Sequence, residues 1–189
     1  FDLVHGTPGL RENTIILVCS DNGPEVGFGS AGHLRGHKAT LYEGGIRSSL
    51  VAWAPGLMEE GAVGKRNRDS VFSAIDLVPS LLGITGLEIP PGVDFDGENL
   101  AAVLLGKEET SRRKPLFFRR PPDRSTFRHY ENLPDLAVRS GKWKLYLDFD
   151  GGNPKLFDLE KDPSEMESVE AANVEIVERL RTALLEWNA

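Results

Sequence analysis

Thr14-Ile15-Ile16-Leu17-Val18-Cys19, followed by Ser20-Asp21-Asn22-Gly23-Pro24, is the stretch whose reading decides the fold. The first six residues are β-branched or apolar without alternation, the pattern of a strand buried on both faces of a parallel sheet. The run stops abruptly at polar, turn-forming residues. In open α/β sheets the ligand crevice lies just beyond the carboxyl ends of strands, so Asp21 and Asn22 stand where side chains do chemistry. Leu50-Val51-Ala52-Trp53, ending at Ala54-Pro55-Gly56, reads as a second core strand. The glycines between residues 23 and 45 predict a long, shaped loop rather than a helix. Cys19 lies inside the apolar run, which suits a buried, inert thiol.

Working outward, residues 70–83 carry Val71, Phe72, Ile75, Val78 and Leu82 at helical spacing. Pro79 must then sit in a first turn or produce a kink, and one helix or two short pieces satisfy the pattern equally. Pro90-Pro91-Gly92 and Asp96-Gly97 mark turns, and residues 100–105 predict a brief helix. The charged stretch 107–114 sets a boundary between a domain over 1–113 and a smaller one over 114–189. In the smaller one, residues 116–118, 136–138, 144–147 and 155–157 predict short strands of an antiparallel sheet, with turns at Ser140-Gly141 and Gly151-Gly152. Val177, Leu180, Leu184 and Trp187 form one apolar stripe on a helix that packs on this sheet. Asn173 is its expected N-cap, and Glu175 with Arg179 its expected i,i+4 pair.

Composition narrows the class. At 40% hydrophobic and 27% charged, the 189-residue chain is ordinary globular sequence, not disordered, collagen-like or membrane sequence. Its 22 Lys and Arg against 29 Asp and Glu give a formal charge of -7, the opposite of a nucleic-acid-binding footprint. The local exception is the basic cluster Arg112, Arg113, Lys114, Arg119, Arg120, Arg124 and Arg128, which reads either as solvated surface or as an anion-contacting rim. Cys19 is the only cysteine, so no internal disulfide forms. No apolar window is long enough to span a bilayer. A chain opening Phe1-Asp2-Leu3 without an initiator Met is expected to be a piece of something longer.

Asp21 and Asn22 offer a carboxylate and an amide carbonyl from adjacent positions, oxygens of the kind that hard cations such as calcium choose. Calcium takes about six to eight oxygens, so further ligands must come from elsewhere in the fold. Taken alone, Asp-Asn-Gly at a strand end also reads as a turn in which the Asx side chain bonds its own backbone. Two more motifs follow at the far end of the loop: Leu34-Arg35-Gly36-His37-Lys38 and Glu43-Gly44-Gly45-Ile46-Arg47. A compact ammonium such as Lys38 binds a tetrahedral oxyanion as a point charge, and neighbouring glycines let backbone approach the ligand.

In order and approximate spacing these motifs resemble those of the sulfatase family, within the alkaline-phosphatase-like superfamily. The likeness continues through Ile75-Asp76-Leu77-Val78-Pro79-Ser80-Leu81-Leu82, Asp96-Gly97, and Leu156-Phe157-Asp158-Leu159-Glu160-x-Asp162-Pro163-x-Glu165. The resemblance implies an α/β fold: the late part of an alkaline-phosphatase-like α/β sandwich, then a small C-terminal subdomain of antiparallel sheet plus helix. It implies that Asp21 and Asn22 are the two late ligands of a divalent cation, usually calcium, and that Lys38 contacts the sulfate group. Glu43 and Arg47 match positions of structural role, an ion pair holding the loop. His33 and His37 flank the motif and face either substrate or solvent.

The departures set the limits. The family's nucleophile is a formylglycine made within Cys/Ser-x-Pro-x-Arg, and this chain has neither that motif nor the early Asp-Asp pair, so both are expected upstream. The isolated chain is therefore expected to be inactive and, as a truncated fold with exposed apolar surface, to self-associate. The resemblance implies a sulfated small molecule or glycan as substrate and a secreted, periplasmic or lysosomal setting. A phosphodiesterase or phosphonate hydrolase of the same superfamily, or a non-catalytic module binding sulfated glycan, are the rival readings. Asp148, Asp150 and Asn153 fail calcium-loop spacing because Gly152 occupies a ligand position, and they read as a turn.

Overall fold

The computed structural model describes residues 1–120 and 133–189. In chain order its elements are α1 (Asp2–Gly6), β1 (Ile16–Cys19), α2 (Glu43–Ile46), β2 (Leu50–Trp53), α3 (Leu77–Thr85), α4 (Ala101–Leu104), β3 (Leu116–Arg119), β4 (Leu136–Ser140), β5 (Trp143–Leu147), β6 (Lys155–Asp158) and α5 (Val174–Asn188). Contacts divide them into two units. One comprises Phe1–Cys19 and Leu50–Lys114, the other Ser20–Ser49 and Pro115–Ala189.

In the first unit β1 and β2 pair antiparallel, with Ile16 opposite Trp53 and Cys19 opposite Leu50. This corrects the parallel, doubly buried strand expected at 14–19. Val18 and its cross-strand partner Val51 are each 60% exposed, and Cys19 is exposed rather than buried. A two-stranded ladder gives each strand a single neighbour, and burying both faces takes a packed layer on each. Residues 70–83 fold as two pieces, a 3-10 turn at Ala74–Asp76 and then α3. Pro79 lies in the first turn of α3, where its missing N–H costs no intrahelical bond. Gly86 closes α3 in the left-handed conformation that glycine adopts without strain.

Asp76 anchors this unit. Its fully buried carboxylate accepts from Ser73 N–H at 2.8 Å, from Glu98 N–H at 2.8 Å, and from Arg112 Nη1 at 2.7 and 2.8 Å. Arg112 therefore leaves the basic cluster in which the sequence places it: it is buried, because a carboxylate out of water needs a cation beside it. Arg120 is likewise paired, to Asp135 at 2.6 Å in the second unit. Arg113, Lys114 and Arg119 are exposed, and Arg124 and Arg128 lie outside the described residues.

The second unit holds the expected antiparallel sheet, in the order β3-β4-β5-β6. Gly141, at φ +57°, makes the tight turn that sets Ser140 opposite Trp143. The 148–153 segment is a turn, with Gly151 N–H donating to Asp148 O at 2.9 Å. Period-two alternation then sorts the side chains. Leu136 and Val138 of β4, Leu145 and Leu147 of β5 and Leu156 of β6 face α5, where they pack on Val177, Leu180 and Leu184. Each such side chain contributes about 1.5–3 kcal/mol relative to exposure. Trp187, at the end of the stripe, is 46% exposed and stacks on Phe117 at 5.3 Å. Asn173 stands at the N-cap, but its side chain donates back to Val169 O instead of capping. On the helix surface, Arg181 pairs with Glu178 at 3.3 Å, a pairing different from the expected Glu175 and Arg179. The opposite face carries Ala137, Tyr146 and Phe157, covered by Leu41 and Tyr42.

Candidate active site

Asp21, Asn22 and Lys38 all belong to the second unit, on two limbs of one loop. The first limb is the Ser20-Asp21-Asn22-Gly23-Pro24 turn. Ser20 Oγ donates to Asn22 O at 2.8 Å, and Gly23 N–H donates to Gly45 O at 2.8 Å. Gly23 has to be glycine, because a Cβ there would stand 1.8 Å from Gly44 O. Asp21, just before it, is exposed, and Asn22 is half-buried.

The second limb carries Lys38. Its N–H donates to Pro24 O at 3.0 Å, which ties the two limbs together. Its ammonium is half exposed and lies 2.9 Å from Glu25 Oε2. The hydrogen bond and charge of Glu25, with a smaller contribution from Asp21, raise the Lys38 pKa above the ordinary lysine value. Lys38 is thus a standing cation, suited to hold an anion and unsuited to act as a base near neutral pH. His37 Nδ1 donates to Lys38 O at 2.8 Å, while His33 is exposed and its carbonyl accepts from Ser164 Oγ at 2.7 Å.

Helix α2, with its Glu-Gly-Gly start, joins the limbs. Gly44 N–H donates to Arg35 O at 2.7 Å, on the Lys38 limb, and Gly45 O accepts from Gly23 on the other. Backbones meet here without side chains between them: a Cβ on Gly44 would come within 2.5 Å of Arg35 O, and one on Gly45 within 2.2 Å of Thr40 O. The Glu-Gly-Gly motif is therefore a packing requirement of the loop.

Glu43 opens α2 and is 1% exposed. The ion pair with Arg47 implied by the motif is present at 3.8 Å. Two stronger partners come from the sheet: Lys144 at 2.7 Å, itself fully buried, and Arg139 at 3.2 Å. Burial pushes the Glu43 carboxyl up, but Lys144 and Arg139 outweigh it and hold it below the usual carboxylate range. Glu165, also fully buried, accepts from Glu43 N–H at 2.7 Å, lies 3.1 Å from Lys144 Nζ, and accepts from the Tyr146 hydroxyl. Burial, then the Glu165 charge, push the Tyr146 pKa well above the usual phenol value, so the hydroxyl stays protonated and donating. Arg35 lies 4.1 Å over the Tyr42 ring and donates to Glu165 O at 2.9 Å.

Sequence reasoning missed Lys144, Glu165, Tyr146 and Glu25 as parts of this neighbourhood. For Lys144 and Tyr146 a signal existed, since in Trp143-Lys144-Leu145-Tyr146-Leu147 they alternate with the leucines and so share the face away from α5. Glu165 closes the Asp-Pro-x-Glu segment, a motif that marks the residue without marking its buried partners. Glu25 has no distinguishing sequence context. Among the described residues no three His, Cys, Asp or Glu side chains gather as a metal cluster. Asp21 and Asn22 nonetheless fit part of an oxygen shell, being hard donors held at the tip of a turn. Among the described residues no helix is long and apolar enough to cross a membrane.

Comparison with known proteins identifies the family. The family model described as Sulfatase matches residues 4–87. Human arylsulfatase A is 31% identical over 205 residues, covering 93% of this chain and 38% of that protein. An N-acetylgalactosamine-6-O-sulfatase of Bacteroides thetaiotaomicron is 29% identical over 203 residues, covering 93% of this chain and 36% of that protein. The chain thus spans little more than a third of these relatives. A solved structure associated with metabolism of multiple glycosaminoglycans by Bacteroides thetaiotaomicron superposes with a TM-score of 0.73 at 27% identity, covering 94% of this chain and 39% of that one.

Proposed function

Because the chain belongs to the sulfatase family, whose α/β fold it shares, we propose that the protein hydrolyses sulfate esters and that Lys38, Asp21 and Asn22 are this chain's part of the active site. The observation that carries the reading is that α2 joins the limb bearing Lys38, whose pKa Glu25 raises, to the turn bearing Asp21 and Asn22. Lys38 binds the sulfuryl oxygens as a point charge and stabilises the negative charge that builds on them as the ester bond breaks. Asp21 and Asn22 hold a divalent cation, calcium by the family resemblance, through their side-chain oxygens. When bound, such a cation would supply Lewis-acid stabilisation of developing negative charge. The nucleophile in this reading is the family's formylglycine, contributed by sequence outside this chain.

The substrate class is a sulfated small molecule or glycan. The name of the Bacteroides thetaiotaomicron relative, an N-acetylgalactosamine-6-O-sulfatase, supports a sulfated sugar. The test is Lys38→Ala in the full-length protein, assayed on an aryl sulfate. Turnover is expected to fall on the order of a hundredfold with thermal stability unchanged, the size of effect produced by removing one preorganised group from a developing oxyanion. Near-normal turnover overturns the assignment of Lys38.

A further inference from the structure

We infer that Lys144 and Glu165 are positioning residues for Lys38 and for the Asp21-Asn22 turn, acting through α2; the inference rests on the proposed role of those three residues. Neither Lys144 nor Glu165 belongs to the loop that carries the site. Lys144 is the second residue of β5, and Glu165 follows β6 in a turn where it adopts φ +55°. That left-handed conformation is uncommon for a glutamate and persists only where surrounding contacts over-determine it.

The route is short and made of named bonds. Lys144 Nζ lies 2.7 Å from Glu43 Oε1 and 3.1 Å from Glu165 Oε1, so one ammonium serves two carboxylates in a site closed to water. Glu165 holds α2 a second time, at its main chain, through Glu43 N–H. From α2 one bond leads to each limb: Gly44 N–H to Arg35 O on the Lys38 side, and Gly23 N–H to Gly45 O on the Asp21-Asn22 side. A third bond, Lys38 N–H to Pro24 O, closes the limbs on each other. A buried ion pair constrains geometry because neither partner can relax toward water without exposing the other. Without Lys144, Glu165 loses the cation beside it and Glu43 keeps only Arg139 and Arg47, so α2, bonded to Glu165 through Glu43 N–H, has to move as the Glu165 carboxylate rehydrates. Both limbs then move with it.

Hydrogen exchange in the protein tests this at the amides of Gly23, Lys38 and Gly44, in Glu165→Gln and Lys144→Met. Glu165→Gln preserves side-chain volume and keeps the test alive if Lys144→Met does not fold. Exchange at these three amides is expected to rise about tenfold or more while amides of α5 around Leu184 keep their rates. With an aryl sulfate, kcat is expected to fall about tenfold with KM within about twofold, since a displaced Lys38 loses transition-state contact. Lys155→Met, which removes an exposed lysine of β6 paired to Glu170, is expected to change neither readout. Unchanged exchange at the three amides in a folded variant overturns the inference. So does a rise spread equally over α5, which is plain destabilisation. If the unmodified full-length protein cleaves no sulfate ester, the proposed function falls while the exchange data still decide what holds the loop.

Discussion

The two faces of the β3–β6 sheet are both dry, and they are built from opposite chemistry. Against α5 lie leucines and valines. On the other face a lysine and a tyrosine from β5 meet two glutamates from outside the sheet, ringed by Tyr42, Phe157 and Leu41. Apolar contacts are short-ranged and non-directional, so the first face stabilises the fold without dictating where any one loop stands. Buried charges are directional, and leaving one unpaired is costly. The second face therefore ties stability to the placement of a particular loop, the one that bears Lys38. Apolar packing and the placing of that loop rest on opposite faces of one sheet.

Breaking the charged face has the largest expected effect. Lys144→Met leaves Glu165 without a cation and is expected to cost about 3–5 kcal/mol in chemical denaturation, whereas adding Glu165→Gln to it recovers part of that loss because the stranded charge is removed. Equal costs for the single and double variants would mean that Lys144 acts by its volume alone. On the apolar face, Leu184→Ala is expected to cost roughly 2–5 kcal/mol, set by the cavity it leaves, and to leave the KM and kcat of the folded enzyme nearly untouched. A matching loss of kcat would erase the distinction between the faces.

Acid gives the smallest and sharpest test. Glu43 has a folded-state pKa below its unfolded value, so its contribution is complete above the ordinary carboxylate pKa and drains away as pH falls through the lower, folded value. Denaturation midpoints of the protein are expected to drop more steeply below about pH 4.3 than those of Glu43→Gln, while Leu184→Ala lowers stability by a similar amount at every pH. Parallel curves for Glu43→Gln and the parent would remove Glu43 from the acid response.

Much of this fold is legible in local sequence patterns. The four C-terminal strands, their turns, the stripe on α5 and the place of Pro79 in a first turn follow from period two, period 3.6 and proline geometry, which depend on neighbours in sequence. The β1 reading failed because an unbroken apolar run specifies what a strand would bury and not what is there to bury it; among the described residues β1 pairs only with β2. Arg112 failed for the related reason that a basic run in sequence says nothing about a carboxylate 36 positions away.

Of the candidate site, the residue types and order of Asp21, Asn22, Lys38, Glu43 and Arg47 were legible, since oxygen donors, a point cation and close-packed glycines have recognisable signatures. What holds them was not. Glu43 meets Lys144 across 101 positions and Glu165 across 122, and separations of that length are closed by the fold alone. The sequence by itself determined which groups this protein can offer to an anion and a hard cation, because that depends on side-chain chemistry. Only the tertiary structure decided that α2 rests on a buried lysine and glutamate, because desolvation and pairing arise once distant segments exclude water together.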